Sequence, residues 1–219
     1  MKLGDQMMCL KITKQYCKIC FNEISDYSLY SLCHKNNIIC ENCFCKFEPK
    51  FINFKLDGCK GLSIYEYDQN IKELLFKFKG CFDIELKDVF LDRYINYLKV
   101  KYHGFVVVPI PSYHLDDLTR GFNHVEQIYN RLNLPVLKLI KKTKQEKQAN
   151  KNKKERLEVA KIFEITDLEK IKNKKVLIVD DVMTTGSSMS AAINLVKGGK
   201  PKRIQLLVIA KNVDKSKKR

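Results

Sequence analysis

An α/β fold is the class this sequence predicts: a parallel sheet flanked by helices, with a small metal-stapled module at the amino terminus. Three features carry that expectation. Residues 176–179 are an apolar run, followed by two acids, a hydroxyl-rich loop and a helical pattern. Residues 105–111 open a second unit in the same order: apolar run, polar loop, helical pattern. Ahead of both, Cys17-Lys18-Ile19-Cys20 and Cys40-Glu41-Asn42-Cys43 form two C-x-x-C pairs.

The chain has 219 residues, enough for one sizeable core plus a small module. Its formal charge is +16, which attracts polyanions. Charge alone leaves two classes open, nucleic acid and phosphorylated small molecules. No stretch approaches the roughly 20 apolar residues of a membrane span. The first 17 residues lack the apolar run of a signal peptide, so a cytoplasmic location is expected. In a reducing compartment, nine cysteines point to metal binding or free thiols rather than disulfides.

Residues 1–57 are expected to form a zinc ribbon. Each C-x-x-C pair presents two thiolates to one ion. Cys17, Cys20, Cys40 and Cys43 together give a closed tetrahedral Zn²⁺ site, structural rather than catalytic. A module this small depends on its metal for much of its stability. Cys33, His34 and Cys45 are alternative ligands, but the paired spacing is the simpler choice. Cys9, Cys59 and Cys81 stand alone as free thiols. Tyr16, Phe21, Tyr27, Tyr30 and Phe44 surround the knuckles. They either stack on bases of single-stranded nucleic acid or form the module's small core.

The second domain is expected over residues 58–212, with 51–60 as the junction and 213–219 a disordered basic tail. Residues 62–67 read as a strand. Asp68 or Asn70 caps a helix whose inner face holds Ile71, Leu74, Leu75 and Phe78, and Gly80 ends it. A second helix turns Leu86, Val89, Phe90, Tyr97 and Leu98 inward. Residues 105–111 are a short strand, limited by Pro109 and Pro111. The loop after it carries Arg120-Gly121-Phe122-Asn123, and a helix follows with Val125, Ile128, Tyr129 and Leu132. His124 reads as a surface or capping residue. Residues 135–140 read as a short strand. Residues 141–154 form a basic run without periodicity, a mobile loop. Gly198, Gly199 and Pro201 stop the helix after the hydroxyl-rich loop, and 203–210 is the last core strand.

Residues 176–188 carry the chemistry. Gly186 lets backbone approach an anion closely. Successive N–H groups and the positive end of the following helix favour negative charge. The hydroxyls of Thr184, Thr185, Ser187 and Ser188 add donors. Asp180 and Asp181 suit hydroxyl groups instead, directly or around a divalent cation. A ligand with a phosphate at one end and vicinal hydroxyls at the other satisfies both halves, and ribose 5-phosphate is such a ligand. By the rule for parallel sheets, the 105–132 loop reaches the same edge.

This stretch resembles the phosphoribosyl pyrophosphate (PRPP) motif of type I phosphoribosyltransferases at every position. The resemblance implies the type I phosphoribosyltransferase fold. It implies that Asp180 and Asp181 hold the ribose hydroxyls while Val182, Met183, Thr184, Thr185, Gly186, Ser187 and Ser188 line the PRPP site. It also implies Mg²⁺ with PRPP, and makes Arg120 a pyrophosphate clamp by position, so that Asp180, Asp181 and Arg120 form the catalytic set. A structural ion pair is the other reading of Arg120. Arg120-Gly121-Phe122-Asn123 after Pro109-Ile110-Pro111, with the two knuckles, resembles the ComF family of competence-associated proteins over nearly the whole chain. Gln148 and Arg156 match that family's pattern. Val159 stands in place of its Asn, and Phe163 lies one residue nearer Arg156 than its Phe. The resemblance implies a role in natural transformation and DNA uptake, handling single-stranded DNA with other competence proteins. It implies phosphoribose transfer with pyrophosphate release, to an acceptor the sequence does not name. The alternative is a non-catalytic single-stranded-DNA-binding or nucleotide-sensing protein on the same fold.

Overall fold

The apolar runs become strands in a computed structural model that describes residues 15–24, 38–112, 114–142 and 163–213. The strands are β1 (Ile52–Leu56), β2 (Cys59–Glu66), β3 (Phe105–Pro109), β4 (Ile140–Lys142), β5 (Phe163–Ile165), β6 (Lys175–Met183) and β7 (Arg203–Lys211). Five of them form one sheet in the order β1-β2-β7-β6-β3, while β4 and β5 pair separately. The β1–β2 pairing is antiparallel, and the other three in the sheet are parallel. The helices are α1 (Glu41–Lys46), α2 (Gln69–Gly80), α3 (Ile95–Lys101), α4 (His114–Arg120), α5 (His124–Tyr129) and α6 (Ser187–Lys197).

A parallel sheet is covered on both faces, so its central strands read as continuous apolar runs. Side chains still alternate between the faces. Leu177, Val179, Leu207 and Ile209 pack with Ile71, Leu74, Leu75 and Phe78 of α2 and with Val125 and Ile128 of α5. Val176, Ile178, Leu206 and Val208 pack on the other side with Met189, Ala192, Ile193 and Val196 of α6. The mixed α/β class and its mostly parallel sheet are as the sequence predicts. Asp68 is the cap of α2, its Oδ1 accepting from the Ile71 N–H at 2.9 Å.

Four elements differ from expectation. The stretch read as a junction holds β1, joined to β2 by a two-residue Asp57-Gly58 turn with φ of 47° and 85°. That is the Asp-Gly hairpin signal, whose positive φ values suit the twist of paired strands. The expected division at 57/58 therefore falls inside a hairpin of the sheet. The helix expected after Gly80 is broken into 3₁₀ turns at Ile84–Asp88 and Asp92–Tyr94 before α3. Leu86, Val89, Phe90 and Leu98 are buried, but Tyr97 is half exposed, because helical neighbours lie about 100° apart and Leu98 takes the inner face. The 112–124 stretch, expected as a loop, contains α4. Finally, Val136 makes only a single parallel bridge to Val107, and the strand begins later, at Ile140.

In the β1–β2 hairpin Phe54 faces Gly61, and its ring lies over the glycine. A Cβ at Gly61 would sit 2.3 Å from the ring's Cζ. Gly61→Val is expected to destabilise the protein by about 1–3 kcal/mol, read as a lower urea midpoint at unchanged slope. An unchanged midpoint would mean that the ring swings aside freely.

The described part of the amino-terminal module shares its core with the sheet. Cys17, Ile24, Ile39 and Cys43 are buried in the same cluster as α2, with Phe44, Phe47 and Phe51 packed against it. The Arg93 guanidinium lies 3.7 Å above the Phe44 ring, and Lys18 pairs with Glu85 at 2.9 Å. Phe44 is thus a core residue, whereas Tyr16 and Phe21 are exposed. Cys9, Tyr27, Tyr30, Cys33, His34, the run from residue 143 with Gln148, Arg156 and Val159, and the tail after Val213 lie outside the described residues. Among the described residues, no helix is long and apolar enough to cross a membrane.

Candidate functional site

The buried run of β6 delivers two acids to the carboxyl edge of the sheet. Asp181 is buried, and both of its oxygens are hydrogen-bonded. Its Oδ1 accepts from the Val182 N–H at 2.6 Å. Its Oδ2 accepts from Lys79 Nζ at 2.6 Å and lies 3.1 Å from His124 Nε2. On the far side of the imidazole, Arg120 Nη1 is 3.0 Å from Nδ1. A guanidinium can only donate, so Nδ1 accepts, and Nε2 carries the proton it donates to Asp181. His124 therefore bridges an arginine and a carboxylate.

The network continues behind His124. Arg120 donates from Nε to the Lys79 carbonyl and from Nη1 to Asp117 Oδ1, both at 3.0 Å. Ser112 Oγ donates to the same Asp117 oxygen. Asn123 caps α5 by accepting from the Glu126 N–H at 2.9 Å, and donates from Nδ2 to Asp117 Oδ2 at 2.8 Å. Buried Tyr129 donates to the Asp180 carbonyl at 2.8 Å, which pins α5 to the strand end.

The acids differ in charge state. Burial works to raise the Asp181 carboxyl, but the His124 hydrogen bond and the Lys79 charge outweigh it and hold it well below the usual carboxylate range. Asp180 is pushed well above that range by burial and by the Asp181 charge beside it. Burial works to lower the Lys79 ammonium, yet the Asp181 charge holds it above its ordinary value.

The loop after β6 has the form an anion needs. Gly186 takes φ +80° and is the cap residue of α6. The first N–H groups of a helix have no intrahelical acceptor and point outward with the positive end of its dipole. Thr184 and Thr185 are exposed, Ser187 and Ser188 half-buried, and Thr185 Oγ1 lies 2.9 Å from Ser187 Oγ. Val182 and Met183 remain strand residues, paired with Ala210 and Lys211 of β7. Met183 is buried in the α6 side of the core.

Two residues were not singled out for this site in the sequence. His124, read there as a surface or capping residue, is instead buried, and Asn123 is the cap. The signal was available: Asn123 three residues before Glu126 is a good helix start, which moves His124 inside. Lys79 had no signal, since it lies 102 positions from its partner.

A second cluster lies in the amino-terminal module. The Sγ atoms of Cys17, Cys20, Cys40 and Cys43 all fall within 4.8 Å of one another, with Cys20 and Cys40 3.7 Å apart. Zn–S bonds of about 2.3 Å in a tetrahedron place sulfurs about 3.8 Å apart, so this donor set fits a zinc-sized ion. Burial works against ionising Cys17, but the backbone amides of Cys40, Cys20 and Ile19 bring its thiol down to about 7.

The family described as "Phosphoribosyl transferase domain" matches residues 93–219, which include both acids, the Gly186 loop, Arg120 and His124. No curated protein matches the chain. Among solved structures, a purine phosphoribosyltransferase of Pyrococcus horikoshii is 21% identical, covers 57% of this chain and 73% of its own, and has a TM-score of 0.37. A hypoxanthine phosphoribosyltransferase of Staphylococcus aureus is 15% identical over 60% and 75%, with a TM-score of 0.37. A phosphoribosylpyrophosphate synthetase of Mycobacterium smegmatis is 16% identical over 57% and 33%, with a TM-score of 0.34. With more than half of its residues matched by that family, the chain belongs to the phosphoribosyl transferase domain family.

Proposed function

We propose that this protein binds PRPP at the edge formed by residues 180–188 and transfers its phosphoribosyl group to a nitrogen nucleophile. The observation that carries the reading is the junction of two acids with a left-handed Gly186 that opens α6, in a chain of this family. The ribose hydroxyls donate to the acids. The α6 N–H groups and the loop hydroxyls donate to the 5′-phosphate. The C1–O bond then breaks, pyrophosphate leaves with the electron pair, the Asp181 carboxylate faces a sugar carrying positive charge, and the nitrogen bonds to C1 and releases its proton to solvent. Mg²⁺ arrives with the diphosphate as part of the substrate, because Asp181 is already engaged by Lys79 and His124. Arg120 is bonded to Asp117, His124 and the Lys79 carbonyl, so its contribution is to fix this edge.

The four cysteines hold Zn²⁺, and the ribbon ends before Ile52 rather than at residue 57. Arg120–Asn123 and the knuckles support a ComF-type role in natural transformation, with a cytoplasmic location and competence partners. A second reading, single-stranded DNA binding, is favoured by the exposed Tyr16 and Phe21 beside the knuckle of a chain of charge +16.

PRPP with Mg²⁺ is expected to raise the melting temperature, stabilising by about 2.7 kcal/mol at a hundredfold excess over Kd. Replacing both acids, Asp180→Asn with Asp181→Asn, should remove the rise. Pyrophosphate release with nucleobase or oligonucleotide acceptors then separates turnover from binding. A wild-type protein unmoved by PRPP would sink the reading.

A further inference from the structure

Adjacent carboxylates at a half-buried edge repel, and without a cation one of them keeps a proton. Lys79 on α2 is the cation bonded directly to this pair, at 2.6 Å from Asp181 Oδ2. The other groups facing Asp181 are Asp180 on the same strand, and His124 and Tyr129 on α5, with the His124 Nδ1 facing Arg120 and its Nε2 facing Asp181. Arg120 reaches the pair only through that imidazole and is itself paired with Asp117. Lys79 is also held at its backbone, where its carbonyl accepts from Arg120. Its side chain is partly exposed, while its ammonium is bonded to Asp181. It lies at the end of a helix outside residues 93–219, the part of the chain the family match covers.

We propose that Lys79 is the built-in counter-ion of the ribose-binding acids, a positioning residue that keeps Asp181 ionised and oriented to accept a ribose hydroxyl beside Asp180. The inference rests on the proposed phosphoribose site. It assigns α2, through Lys79 near its carboxyl end, a role in that site. It also makes this edge self-sufficient in cation: a sugar phosphate lacking a diphosphate binds without a divalent ion.

Ribose 5-phosphate is the probe, since it carries no diphosphate to bring Mg²⁺ with it. Calorimetric titration of the full chain should give a wild-type affinity nearly independent of Mg²⁺ and of pH from neutral to mildly alkaline. Lys79→Met should bind at least about tenfold more weakly at neutral pH, and should recover as pH rises or when Mg²⁺ is added. Lys79→Gln, which keeps a polar group without the charge, should show the same pH and Mg²⁺ dependence, and Lys79→Arg should behave as wild type. If Lys79→Met and Lys79→Gln bind as wild type, the inference is overturned. A loss that is equal at every pH and every Mg²⁺ level also overturns it, since that marks a direct ligand or a support of the fold. A wild-type chain that binds neither PRPP nor ribose 5-phosphate overturns the site itself, which the variants alone cannot do.

Discussion

Removing the metal from the four-cysteine site should unfold the amino-terminal module and leave the sheet folded. Among its described residues, Ile24 and Ile39 are the buried aliphatic side chains. Each contributes about 1.5–3 kcal/mol on burial, which offsets the ordering of only a few residues at about 1–2 kcal/mol apiece. A structural Zn²⁺ contributes on the order of 10 kcal/mol. Chelation, or Cys43→Ser, should therefore expose the amides of Cys17, Phe21, Ile24 and Phe44, whose acceptors all lie within the module. Hydrogen exchange should show those amides losing protection while β6 and β7 keep theirs. Phe44 should leave the Arg93 guanidinium, uncovering apolar surface beside α2. Purified protein without bound metal, or protection that survives chelation, would refute the assignment.

Gly186→Val should abolish phosphate binding without unfolding the chain. At φ +80° an L-residue is strained by about 1–2 kcal/mol, and a β-branched one by more. A Cβ there also meets Leu56 Cδ2 at 3.3 Å, so β1 blocks the easy escape. The loop must turn, and the amides that faced the phosphate turn with it. Two lost hydrogen bonds to a charged group, at about 1.5–3 kcal/mol each, correspond to roughly 10²- to 10⁴-fold weaker binding of ribose 5-phosphate or PRPP. Titration calorimetry measures this, with far-UV circular dichroism confirming the fold. An affinity within a few-fold of wild type would mean that the phosphate is held elsewhere.

Much of the edge was readable because its chemistry is contiguous. Asp180, Asp181 and Gly186 sit in one stretch whose strand, loop and helix each leave a local pattern. The knuckles were readable for the same reason, since spacing within each pair sets which thiols converge. Lys79 and His124 reach Asp181 from 102 and 57 positions away, and pairings made by tertiary packing leave no period in a sequence. β1 was a different case. Asp57-Gly58 is a local hairpin signal, but it lies in a stretch whose composition reads as a junction. The broken helix before α3 reflects a third cause: Leu86, Val89 and Phe90 are buried as expected, yet a 3₁₀ turn at Leu86 and the turn after it at Val89 and Phe90 bury them as well as an α-helix does.

The place of β7 in the sheet governs how this molecule comes into being. It is the last of the described strands along the chain, yet it lies in the interior, hydrogen-bonded to β2 on one side and β6 on the other. Until residue 211 has left the ribosome, the β1–β2 hairpin and the β3–β6 pair are separate halves, each with an open edge. Closing the gap requires contacts between β2 and β7 at long sequence separation, which makes the step late and slow. Lys175–Val179 gain their second strand neighbour only then, and Asp180, Val182 and Met183 their first. A nascent chain therefore acquires its ligand-binding edge only once β7 has emerged and paired.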